Sequence, residues 1–240
     1  MKPSIKSIAV AGAAGYVGSQ ISRAVLADGG CRLIPVRRGE CPETLFAGAD
    51  FVIHAANPAR RFQAEQNPER DFIETVEKTA GLLAAAQGKP FLLVSSLSCR
   101  TQLNLSYGRN RRACELLVLA VGAQVIRLGP LFGGGRVRDV LHDIVSSRPI
   151  YVSAETQYAY ADVQWIGRRI IDLLGTTGGI VELGARNAVP LGDIAARFTS
   201  TSSFEGDEDT QIPLNCPDGP DAGQVIAFAE QERARMAEWL

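Results

Sequence analysis

The 240-residue chain has only two histidines, His54 and His142, which excludes a histidine-rich metal cluster. It has five cysteines, Cys31, Cys41, Cys99, Cys114 and Cys216. The number is odd and no pair has C-x-x-C spacing, so neither a disulfide framework nor a zinc site is expected. Neither sign of charge dominates. Lys and Arg number 25 against 26 Asp and Glu, for a net charge of −1. That balance supplies no bulk attraction to nucleic acid or to an anionic membrane. No apolar run reaches the roughly 18 residues needed to cross a bilayer. The N-terminus also lacks the apolar stretch and small-residue cleavage site of a signal peptide. The expectation is a soluble, cytoplasmic protein with no metal, nucleic-acid or membrane partner.

Glycine is plentiful, at 24 residues, and three glycines carry the first chemical signal. Residues 7–11 (SIAVA) read as a buried strand. They run into Gly12-Ala-Ala-Gly15-Tyr-Val-Gly18, and a helical apolar pattern follows with Ile21, Val25 and Leu26 on one face. In a strand–turn–helix unit the first glycine permits a tight turn. The second lets backbone approach a diphosphate, and the third lets helix pack on strand. Gly12, Ala14, Gly15, Tyr16, Val17 and Gly18 are therefore candidate cofactor residues. The G-x-x-G-x-x-G spacing differs from the plain dehydrogenase fingerprint, G-x-G-x-x-G.

The second strand (31–36) ends at Arg37-Arg38. An acidic residue there would bind a ribose 2′-hydroxyl and repel a 2′-phosphate, whereas Arg suits a phosphate. The expected cofactor is NADP, with NADPH preferred over NADH. Strand and helix patterns then alternate: strands at 50–56, 91–94 and 124–128, helices at 72–86 and 107–121. The fold class is α/β, a Rossmann-type doubly wound parallel sheet. Beyond Pro130 the reading is helices at 137–145, 163–174 and 191–198 and a strand at 180–183. A polar, acidic loop covers 199–220, and an amphipathic helix covers 222–240.

The motifs GAAGYVG, GADFVIHAA, TVEKTAGLLAAA, FLLVSS, YGRNRRACE, RLGPLFGGG, YADV and GGIVELG occur in this order. Together they resemble the short-chain dehydrogenase/reductase superfamily, and within it the extended, NAD-dependent epimerase/dehydratase-like branch. The resemblance runs from Ile8 to about Phe198. It implies a dinucleotide-binding core at 1–130 and a small C-terminal substrate-binding part at 131–240, with elements at about 163–184 returning to the core sheet. It implies that Ala55, Ala56, Ser95, Gly129 and Leu131 line the cofactor. It makes Ser96, Tyr107 and Arg111 the catalytic set, Tyr107 and Arg111 also touching the cofactor. Members often pair through the helices that match 72–86 and 107–121 here, which implies a homodimer.

Two departures from the family pattern stand out. Arg111 occupies the position of the catalytic Lys, and Thr75 stands where Asn is usual. A guanidinium keeps the positive charge that favours a tyrosinate, but it does not readily release a proton. Only about a dozen residues separate Arg38 from the next strand, and Ser96 and Tyr107 are eleven positions apart. Both segments are short for the family. The expected activity is reduction of a ketone on a small molecule, a keto-sugar or a secondary-metabolite intermediate, with Tyr107 as proton donor. The alternatives are a nucleotide-sugar epimerase with retained NAD(P), and a non-catalytic dinucleotide sensor or scaffold.

Overall fold

A computed structural model describes residues 5–135, 139–176 and 178–237. The chain divides into two units. The first comprises Met1–Leu128 with Gln164–Val181, the second Gly129–Val163 with Glu182–Leu240.

The first unit is built on a six-stranded sheet. Its strands are β1 (Ser7–Ala11), β2 (Arg32–Val36), β3 (Phe51–His54), β4 (Phe91–Ser96), β5 (Gln124–Leu128) and β9 (Gly179–Leu183), in the order β2-β1-β3-β4-β5-β9. Pairs β1–β2, β1–β3, β3–β4 and β4–β5 are parallel. Every residue of β1, β3 and β5 is buried. Unbroken burial is what covering helices on both faces of a parallel sheet require. One side of the core gathers Ala9, Val52, Leu93 and Val125 from the strands with Leu82, Cys114 and Val118 from the helices. Each large aliphatic side chain buried there contributes about 1.5–3 kcal/mol.

Helix α1 (Tyr16–Asp28) buries Ile21 and Val25 and ends at Gly29, whose positive φ of 68° forms the left-handed cap. Leu26, expected on the same face, is exposed. At about 100° per residue it has turned past the edge of the buried stripe. Helix α9 (Val163–Asp172) buries Ile166 and Ile170. It approaches α1 so closely that a Cβ on Gly167 would lie 2.7 Å from the Gln20 carbonyl oxygen.

Two short helices follow β2 and β3: α2 (Pro42–Ala47) and α3 (Arg61–Gln66). The helix expected at 72–86 begins earlier. It runs as α4 (Pro68–Phe72), a π-helical turn (Ile73–Glu77) and α5 (Lys78–Ala85). Asn67 caps it by accepting from Arg70 N at 3.0 Å, and Pro68 opens its first turn. The Asn-Pro start signal lies outside the apolar periodicity, and so the sequence reading placed the helix late.

The second unit holds the short pairs β6 (Leu131–Phe132) with β8 (Ala161–Asp162) and β7 (Gln157–Tyr158) with β10 (Val189–Pro190). Helices α8 (Val140–Val145), α10 (Leu191–Arg197) and α11 (Gln224–Ala237) accompany them. Their core joins Phe132, Leu141, Ile144, Tyr158, Leu191, Ile194 and Val225. The start of the helix expected at 137–145 and the last three residues of the one expected at 222–240 lie outside the described residues. Segment 199–220, read as a loose loop, is anchored instead. Ile150 N donates to Ser203 O at 2.8 Å, Gln211 N to Gln157 O at 2.9 Å and Ala159 N to Gln211 O at 3.1 Å. Polar composition marked it as a loop, and backbone pairing with partners 50 or so residues away holds it. Among the described residues no helix is long and apolar enough to cross a membrane, and no group of three His, Cys, Asp or Glu could hold a metal ion.

Candidate functional site

The candidate site begins at the turn between β1 and α1. Gly12 has φ +85°, and a Cβ there would lie 2.6 Å from the Ala55 carbonyl oxygen and 2.7 Å from Ala56 Cα. A Cβ on Gly18 would collide with the Gly12 carbonyl oxygen. The first and third glycines are thus required by the chain's own packing. Gly15 differs. It is exposed with Ala14 and meets only Gly12 O, at 3.1 Å. It is the N-cap of α1, yet no side chain caps that end and no acidic residue stands in the first turn. The positive end of a 13-residue helix with no side-chain cap and no acid in its first turn favours an anion. This cradle fits a diphosphate.

Arg37 and Arg38 follow β2 and are exposed. Arg37 N donates to Glu40 Oε2 at 2.6 Å, which shapes the loop. On the other side of the turn Ala55 N donates to Ala11 O at 2.9 Å, keeping Ala55 and Ala56 against Gly12.

Helix α7 (Ser106–Ala120) carries Tyr107 and Arg111. Its first turn is seated on the short helix α6 (Ser98–Thr101), which follows Ser96. A Cβ on Gly108 would strike the Gln102 carbonyl and lie 2.6 Å from that of Ser98. Glu65 on α3 accepts from Tyr107 N at 3.2 Å, placing a carboxylate at the helix's positive end. Tyr107 is 6% exposed and Arg111 4%. The Arg111 guanidinium lies over the Tyr107 ring, 4.9 Å from its centroid, and Nη2 bonds to the Pro58 carbonyl. Arg111 Nε is buried with no hydrogen-bond partner, and so is Asn57 Oδ1. One helical turn therefore brings Tyr107 and Arg111 together, as the i, i+4 spacing implied.

The two serines have different surroundings. The Ser95 hydroxyl donates to Glu115 Oε1 at 2.7 Å and is buried. Ser96, half-buried at the end of β4, accepts from Ser98 N at 3.2 Å and donates to Ser98 Oγ at 3.2 Å. Ser96 is thus the serine that does not bond to Glu115. On helix α7 Arg109 is a surface group, holding Asn104 O at 2.7 Å. Arg112 bonds to Glu115 at 3.1 Å and Arg111 is buried. Gly129 and Leu131 belong to the second unit. There Gly129 N donates to Leu183 O at 3.0 Å, and Leu131 pairs with Ala161. Their assignment to the cofactor stands on the RLGPLFGGG motif alone.

His54, at the end of β3, is fully buried. Its Nδ1 accepts from Ala56 N at 3.2 Å and its Nε2 bonds to Thr79 Oγ1 at 3.0 Å. Burial, and then the charges of Arg111 and Lys78, pull its pKa down to about 3, so the ring is neutral and structural. Lys78 was missed by the sequence reading. It is half-buried beside the site, and its Nζ lies 3.3 Å from the Ala56 carbonyl oxygen. Its signal was a cation inside an otherwise apolar helix pattern, which passes for an ordinary surface position.

Neither a protein-family model nor a curated protein sequence matches the chain. Solved structures do, through their folds. A NAD-dependent NDP-hexosamine 5,6-dehydratase of tunicamycin biosynthesis superposes with TM-score 0.81 at 13% identity, covering 95% of this chain and 98% of its own. UDP-glucuronic acid 4-epimerase from Bacillus cereus, solved with UDP-glucuronic acid and NAD, gives 0.75 at 15%, covering 94% and 99%. dTDP-4-dehydrorhamnose reductase from Bacillus anthracis, solved with NADP, gives 0.76 at 12%, covering 95% and 99%. The structural match is to the fold these enzymes share, along nearly the whole chain. At these identities the likeness is one of fold.

Proposed function

We propose that the protein is an NADP-dependent oxidoreductase that reduces a ketone on a small molecule. The observation that carries the reading is the pairing of an uncapped glycine-turn helix end with a buried phenol under a fixed positive charge. Arg37 and Arg38 after β2 favour the 2′-phosphate and hence NADPH. The solved neighbours act on nucleotide-linked sugars, so a keto-sugar is the first substrate class to test.

The dinucleotide, when bound, supplies a hydride to the carbonyl carbon. In this reading the backbone amides after Gly12 hold its diphosphate. Ser96 offers a hydroxyl to the carbonyl oxygen, where negative charge develops. Tyr107 gives that oxygen its proton. Arg111 keeps a fixed positive charge over the Tyr107 ring, 4.9 Å from its centroid, on which negative charge is left behind. Arg111 cannot hand on a proton of its own, so the phenolate regains one from water.

One observation favours a second reading, a dinucleotide-binding protein without turnover. It is the Arg at the relay position, tied to Pro58 and to the Tyr107 ring. NADPH oxidation measured against a panel of nucleotide-linked and compact ketones separates the two. Turnover that falls about 10²- to 10⁴-fold in Tyr107→Phe, with NADPH affinity unchanged, supports the reductase. NADPH binding with no oxidation of any ketone supports the second reading, and absence of NADPH binding sinks both.

A further inference from the structure

We propose that Lys78 is a phosphate-binding residue, closing with Arg38 on the 2′-phosphate of an NADP-type dinucleotide. The inference rests on the dinucleotide-binding reading above and assigns to that site a residue the motifs do not contain.

Position comes first. Lys78 opens α5, directly after the π-helical turn Ile73–Glu77. Such turns interrupt the regular ladder and occur frequently at functional sites. Its ammonium rests on the Ala56 carbonyl at 3.3 Å. Ala56 is the residue against which Gly12 packs, at 2.7 Å from a Cβ placed there. The ammonium is therefore held on the peptide that abuts the phosphate turn. An ammonium has three protons to donate, and this carbonyl takes one.

Charge comes second. Two cations, Arg38 and Arg111, act on Lys78, and the one carboxylate that does so is Glu74. Glu74, whose charge acts on Lys78 more strongly than either arginine and is felt by Arg38 too, also accepts from Arg70 Nε at 3.0 Å. On the far side of the Ala56–Pro58 segment Arg111 is bonded to the Pro58 carbonyl, with its Nε and Asn57 Oδ1 buried and unpartnered. Lys78 thus carries its charge among two further cations and one carboxylate that Arg70 also shares. Like charges converging in a partly desolvated place oppose folding unless an anion enters between them. Burial, followed by the charges of Arg38 and Arg111 against that of Glu74, holds the Lys78 pKa below the usual lysine value. Arg38 sits at the end of β2, where the adenosine ribose lies in Rossmann folds. Of a dinucleotide's anionic groups, the 2′-phosphate is the one that reaches that strand end.

The test is equilibrium titration of the full chain with NADPH and with NADH, for the wild type, Lys78→Met and Lys78→Arg. Circular dichroism and melting temperature serve as the check of folding. The expected result is a loss of about tenfold or more in NADPH affinity in Lys78→Met, with NADH affinity changed less than about threefold. Lys78→Arg, which keeps the charge, stays within about threefold of wild type for NADPH. Equal losses for both nucleotides would place Lys78 on the diphosphate and overturn the assignment. Unchanged NADPH binding in Lys78→Met would overturn it while leaving the cofactor reading intact. A wild type that binds neither nucleotide would remove both.

Discussion

Two buried polar groupings meet helix α7 one turn apart, at Glu115 and at Arg111, and they are built on opposite rules. On one side Glu115, fully buried, takes both Arg127 nitrogens at 3.0 and 2.8 Å, Arg112 at 3.1 Å, the Ser95 hydroxyl at 2.7 Å and the Cys99 thiol at 2.9 Å. Burial pushes the Glu115 pKa up, but the hydrogen bonds from Arg127, Cys99 and Ser95, with the Arg127 charge, outweigh it and hold the carboxyl below its usual range. The same carboxylate and burial raise the Cys99 thiol, which stays protonated. On the other side Lys78 and Arg111 rest on backbone carbonyls, and two buried polar atoms have no partner. A saturated network satisfies itself and locks the fold. An unsaturated one leaves donors for something that is not protein. The contrast marks the Lys78–Arg111 side as the place to look for chemistry.

The comparison can be broken by removing one member from each side. The largest effect is expected from Glu115→Ala, which leaves Arg127 buried and uncompensated. Urea denaturation should show a loss of about 3–5 kcal/mol, and a loss below about 1 kcal/mol would mean the network is not the lock described. The second effect is a pH dependence. His54 has its folded pKa depressed to about 3 by burial and neighbouring cations, against about 6.5 when unfolded. The unfolded chain therefore binds the proton first as pH falls. The stability associated with neutral His54 is complete above about pH 6.5 and is lost progressively toward pH 3. Between pH 6.5 and 5, above the carboxylate range, wild type should lose about 2 kcal/mol more than His54→Gln. Parallel stability curves for the two proteins would show that the ring is not held neutral. The smallest effect belongs to Lys78→Met in the absence of ligand. It removes one hydrogen bond and relieves like-charge repulsion, so chemical denaturation should register a change of no more than about 1 kcal/mol. A loss as large as that for Glu115→Ala would put Lys78 among the structural groups and erase the contrast.

The legible parts of the molecule are those whose cause is local. SIAVA, the spaced glycines and the alternating strands and helices announced the sheet, because burial on both faces demands continuous apolar strands and tight turns demand glycine. Tyr107 and Arg111 were legible as neighbours because four residues make one helical turn.

Other features required the third dimension. Ser95 and Ser96 are adjacent in the chain and equivalent on paper. Only the fold shows that one faces Glu115 and the other stands at the strand's end. Arg109, Arg111 and Arg112 lie close in the chain, but a helix turns each residue by about 100°, and they reach a loop carbonyl, a buried ring and a buried carboxylate. Lys78 was invisible because its significance lies in Ala56, Arg38 and Arg111, residues 22 to 40 positions away. Periodicity and propensity act over a few neighbours and dictate elements. Charge and hydrogen bonding act through space, so the partners of these side chains were decided only when the chain had folded.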